Sequence, residues 1–112
     1  MLSFSLWACT DSGLYGPKIK AKLIRVTCAS TVIQVLDSGF YSLGETWPIH
    51  GTFDTIEHAA YVINKCEFSS DLSEGNEFYF RQVRPSSVKN NCVVCAMYDY
   101  PPGKGIYLRV VK

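Results

Sequence analysis

The stretch from Trp47 to Phe68 constrains the fold more than any other, because several local signals agree there. An extended segment over 47–53 runs into Asp54, whose carboxylate suits a helix N-cap. Glu57 follows three positions later, where a carboxylate reaches back to the cap amide and meets the positive end of a helix dipole. Ile56, Ala59, Ala60, Ile63 and Cys66 then recur at helical spacing, with Glu57, His58, Asn64 and Lys65 opposite. The pattern predicts an amphipathic α-helix over about 55–66.

The flanking segments read as strands. Residues 2–9 alternate between apolar and small polar side chains, and 11–17 read as a loop. Along 18–28 the apolar set switches from Ile19, Ala21 and Leu23 to Ile24, Val26 and Cys28, so one buried face requires a β-bulge near Leu23 and Ile24. Residues 31–36 are β-branched, 40–43 form a short extended piece, and 69–76 are a polar loop. Three further strands fall at 77–84, 92–100 and 105–111, the last with Ile106, Leu108 and Val110 inward and joined to its predecessor by a hairpin loop. The expected fold is α+β: a single domain over 1–112, with a largely antiparallel curved sheet of about 6–8 short strands and the helix on one face.

Composition excludes more than it assigns. A formal net charge of +1 gives no global field for nucleic acid or anionic lipid, and no apolar run is long enough to span a bilayer. The five cysteines, Cys9, Cys28, Cys66, Cys92 and Cys95, are odd in number and match no disulfide framework. They point to reduced thiols and a cytoplasmic protein. On a strand, Cys92 and Cys95 face opposite ways, so this CxxC reads as core thiols and not as a redox or zinc pair.

Catalysis has thin support. His50, Asp54, Glu57 and His58 cluster near the expected helix start, where a histidine base and an orienting carboxylate could work. Asp54 and Glu57 are already explained as caps, and the histidines match no ligand spacing, so neither a metal nor a cofactor is expected.

Two surface patches remain. Lys18, Lys20 and Lys22 line one strand face, with Arg25 joining them across the bulge. Such a stripe could follow a phosphate backbone, but alternate lysines also protect an edge strand from unwanted pairing. The other patch is aromatic and arginine-rich: Tyr79 and Arg81 share one strand face, Tyr107 and Arg109 another, and Tyr98 and Trp47 add to the aromatic surplus.

Residues 51–61, Gly-Thr-Phe-Asp-Thr-Ile-Glu-His-Ala-Ala-Tyr, resemble the strand-to-helix corner of the ethylene-response-factor DNA-binding domain. The resemblance implies three strands ahead of a helix and DNA reading by Arg and Trp along those strands. Here 31–36 offer only Gln34 as a polar reader.

The expected function is therefore a non-enzymatic binding or accessory domain of the kind carried by mobile elements. It would use its aromatic and arginine surface, or a helix–sheet cleft, for a protein partner, a second copy of itself or a small apolar ligand. Nucleic-acid binding through the lysine stripe is the alternative, and a small enzyme centred on His50 the third reading.

Overall fold

The computed structural model describes residues 13–49, 53–68, 71–88 and 100–111. Its organising strand is β1 (Leu14–Val26), which places Ile19, Ala21 and Leu23 inward and lysines outward. The others are β2 (Thr31–Val35), β3 (Glu45–Pro48), β4 (Thr55–Val62), β5 (Glu77–Val83), β6 (Gly105–Ile106) and β7 (Leu108–Val111). Hydrogen bonding runs β3-β4-β2-β1-β5-β7, with every pair antiparallel.

β6 pairs β4 in parallel, and only Tyr107 separates β6 from β7. The segment 104–111 thus bonds to β4 through its first half and to β5 through its second. Tyr61 and Ile63 donate to the carbonyls of Lys104 and Ile106, and Val83 donates to that of Tyr107. The curved sheet meets itself there. Asn64 extends the narrow seam: its Nδ2 donates to the Leu108 carbonyl at 2.8 Å and its Oδ1 accepts from the Leu108 amide at 3.0 Å. The side chain imitates a strand backbone, so a fully buried amide has partners on both atoms. Antiparallel pairs β1–β2, β2–β4, β1–β5 and β5–β7, joined by the parallel β4–β6 pair, make the connectivity of a five-stranded Greek-key barrel of the OB type, with β3 added outside.

The interior is filled from alternate positions of every strand around the ring: Ile19, Ala21, Leu23, Ile33, Val35, Ala60, Val62, Phe78, Phe80, Ile106 and Leu108. Phe40, Leu43, Phe68 and Leu72 pack against it from the connections. The fold is α+β with a largely antiparallel curved sheet and little helix, as expected.

The helix does not lie where its signals placed it. Residues 55–62 are β4, and among the described residues the helical turns are short 3-10 pieces such as Ser38–Leu43, which replaces the extended segment expected at 40–43. The cause is a bulge combined with two-sided burial. His58 sits at φ +60, and Thr46 is opposed by two residues, Glu57 and His58, between the register pairs Glu45↔Ala59 and Trp47↔Ile56. Ile56 and Ala59 face outward into a small apolar cluster, while Ala60 and Val62 face the interior. A bulged strand buried on both faces thereby acquires apolar residues at spacings of three and four. The ethylene-response-factor likeness falls with the helix.

Two other expectations change. β1 begins at Leu14, inside the expected loop, and it lies between β2 and β5, so its lysines do not guard an edge. The bulge near Leu23 is present, as a register shift between Leu23 and Arg25. The strand expected at 2–9, and all but the last residue of that expected at 92–100, lie outside the described residues.

Candidate functional site

Strand pairing joins the two patches that the sequence held apart. Register sets Lys20 against Tyr79, Lys22 against Glu77, and Arg81 against Arg109. Because side chains alternate across a strand, Lys20, Lys22, Glu77, Tyr79, Arg81, Arg109 and Val111 share the outer face of β1, β5 and β7. Lys18 belongs with them, its Nζ 4.9 Å from the centre of the Tyr79 ring.

The internal bonds of this face are few and mostly exposed. Lys20 Nζ meets Glu77 Oε1 at 3.2 Å, with both side chains about half exposed. The hydrogen bond that Lys20 donates to Glu77, and then the Glu77 charge, hold the Lys20 ammonium above the usual lysine range. Arg81 Nε donates to the Gly16 carbonyl at 2.9 Å. That carbonyl is available because Gly16, at φ +75, begins the irregular stretch between the register pairs at Tyr15 and Ile19. Arg109 Nη2 lies 3.2 Å from Glu67 Oε1 and also donates to the Ser87 carbonyl. Five cations and two carboxylates surround one tyrosine that is 41% exposed.

The outer face of β2 and β4 is different. Val32, Trp47 and Ala59 form a second apolar cluster with Ile24, Ile49 and Ile56 against it. Trp47 is only 4% exposed, the Arg25 guanidinium lies 4.9 Å from its ring centre, and its Nε1 donates to the Tyr100 carbonyl at 2.9 Å. Trp47 is therefore a roof over this cluster and no part of a binding surface, and Arg25 lies over that roof, away from the lysine stripe. The outer face of β2 and β4 is thus occupied by the protein's own side chains.

Among the described residues, the catalytic candidates Asp54, Glu57 and His58 do not assemble. Glu57 Oε1 accepts from Thr46 Oγ1 at 2.8 Å. His58 stacks on Tyr41, ring centres 3.7 Å apart and nearly parallel, and no hydrogen bond joins it to Glu57. Asp54 caps no helix; its carbonyl accepts from the Ile49 amide. His50 and Tyr98 lie outside the described residues, as do Cys9, Cys92 and Cys95. Among the described residues, no three His, Cys, Asp or Glu side chains converge on a metal position.

The cysteine reading needs correction: Cys28 and Cys66 are both disulfide-bonded. Antiparallel pairing of Val32 with Tyr61 sends both cysteines to one end of the barrel. An odd count hid this, because it argues against complete pairing and says nothing about individual residues. At the same end, an open cleft of about 380 Å³ is lined by Val26, Thr31, Lys65, Phe68, Leu72 and Glu74. Lys65 also borders a second, of about 240 Å³. These take the place of the expected helix–sheet cleft.

The sequence named Tyr79, Arg81, Arg109 and the lysines but not Glu77 or Gly16, which the structure places beside them. Neither carries a local signal, since each matters only once β5 lies beside β1. No helix among the described residues is long and apolar enough to cross a membrane. No protein-family model, curated protein or solved structure matches this chain.

Proposed function

We propose that this is a non-enzymatic binding domain whose β1/β5/β7 face takes an extended polyanion, single-stranded nucleic acid above all. The observation that carries the proposal is the placement of Tyr79 among Lys18, Lys20 and Lys22 on one exposed sheet face. Lysines at alternate positions repeat every 6–7 Å, a ladder of point charges for successive anionic groups. An exposed ring within that ladder suits a flat, unpaired base. The overall charge of +1 does not oppose this, because five of the eleven Lys and Arg residues are gathered on one face.

The protein-partner or homodimer reading, ranked first on sequence, has less support. Trp47 is buried, and Arg81 and Arg109 already bond to internal acceptors, so the anchors that usually dominate protein interfaces are spent. Disulfides at Cys28 and Cys66 favour an oxidising compartment over the cytoplasm. Sulfated polysaccharide, a polyanion of such compartments, is therefore the competing ligand in the test.

The test is fluorescence anisotropy with labelled oligo(dT) and labelled heparin oligosaccharide over a salt series. Oligo(dT) affinity is expected to fall with salt at a log–log slope of about −2, for three lysine–phosphate contacts. Changing Lys18, Lys20 and Lys22 together to Glu abolishes it. Binding of neither polymer, or binding that survives the triple change, rejects the proposal. Binding of heparin alone replaces nucleic acid with a sulfated ligand.

A further inference from the structure

We propose that Glu77 is an internal stand-in for a phosphate, so that Lys20 and Tyr79 mark a nucleotide subsite which the protein fills with its own groups until a single strand displaces them. This rests on the polyanion reading above and adds to it a subsite, a ligand conformation and a competitor.

A nucleotide brings two things to a surface, an anion and a flat ring. On this face both places are taken from within. The Glu77 carboxylate sits on Lys20 Nζ at 3.2 Å, where a phosphate oxygen would sit, while its own strand position is opposite Lys22. The Lys18 ammonium sits 4.9 Å from the centre of the Tyr79 ring, over the surface on which a base would stack. Lys20 and Tyr79 are direct cross-strand neighbours, so the two places are adjacent, as phosphate and base are within one nucleotide. Both internal contacts are solvent-exposed and weak, so a ligand that supplies better partners can displace them.

The same geometry selects a single strand. The face is the outside of a curved sheet and cannot enter a duplex groove, which admits a helix or a narrow two-stranded ribbon. Paired bases would stay stacked on each other, out of reach of Tyr79. An unpaired base can lie on the ring once Lys18 swings aside, where its ammonium can meet the neighbouring phosphate.

The experiment compares wild type, Glu77→Gln and Tyr79→Leu against labelled oligo(dT), the matching duplex and heparin oligosaccharide, with thermal midpoints as folding controls. Glu77→Gln is expected to tighten oligo(dT) about two- to fivefold, the reach of an exposed ion pair. It should also steepen the salt slope, because no displaced carboxylate then takes a cation back from solution when Lys20 meets a phosphate. Tyr79→Leu is expected to weaken oligo(dT) about five- to a hundredfold, the range of one base–aromatic stack, while leaving heparin unchanged. If wild type binds oligo(dT) and Glu77→Gln alters neither affinity nor slope, the subsite is wrong and the polyanion reading stands. Duplex bound as tightly as the single strand also removes the subsite. If wild type binds no polymer, the underlying reading fails and the subsite with it.

Discussion

The two outer faces of this barrel share strand β1 and have opposite fates. From Lys18 to Lys22 its outward side chains are charged and stand beside Glu77 and Tyr79 in water. From Ile24 onward they belong to the apolar cluster roofed by Trp47. The register shift between Leu23 and Arg25 divides the two regimes. A closed sheet has one interior, so any second apolar cluster must be built outside and needs its own cover; β3 supplies it. Once β2 and β4 are covered, β1, β5 and β7 carry the larger exposed and charged sheet surface among the described residues. One face is spent on packing and the other stays exposed to solvent.

That contrast can be broken in order of effect. Trp47→Ala should be the most costly change, about 3–5 kcal/mol, because a buried indole leaves a cavity between Arg25 and the Val32/Ala59 floor. Chemical denaturation measures it. A loss under 1 kcal/mol would mean that the outer cluster stabilises little.

Asn64→Ala comes next, at about 2–3 kcal/mol, since it strands the amide and carbonyl of Leu108 inside the barrel seam. Hydrogen exchange should then speed up first along β6, β7 and the end of β4. Uniform acceleration everywhere would show that the seam has no separate identity.

His58 is a smaller lever. A β-branched residue tolerates φ +60 poorly, so His58→Val should cost about 1–2 kcal/mol, whereas His58→Gly should be nearly neutral as relief of backbone strain offsets the lost Tyr41 stack. Equal losses in the two variants would place the cost in the stack and not in the backbone.

Smallest in stability is Lys18, Lys20 and Lys22 to Ala, each within about 0.5 kcal/mol as exposed sites. The triple variant should melt close to wild type and yet lose polyanion affinity. A large drop in melting temperature would mean that this face also carries part of the fold.

Much of the architecture was legible along the chain. The alternation of Ile19, Ala21 and Leu23 and of Ile106, Leu108 and Val110 named interior positions correctly, and the phase switch near Leu23 located a bulge. The same periodicity failed at 55–62, where Ile56, Ala59, Ala60 and Ile63 copy helical spacing. A hidden bulge at Glu57 and His58, with burial on both faces, produced that copy. Trp47 misled for a related reason: nothing local says that a short strand will pair beside β4 and turn its tryptophan onto an outer apolar cluster. The lysine stripe and the tyrosine–arginine patch were each visible, but their union was not.

By itself, then, the sequence determined which side of most strands is apolar, where β1 changes phase, and that charge is gathered at Lys18, Lys20 and Lys22. These are properties of neighbours along the chain, set by alternation and local propensity. Tertiary structure alone decided that 55–62 would be a strand, that Asn64 would complete a seam with Leu108, and that Glu77 would lie on Lys20. Each of these requires partners tens of residues away, and hydrogen-bond pairing between such segments leaves no mark in either one until they meet.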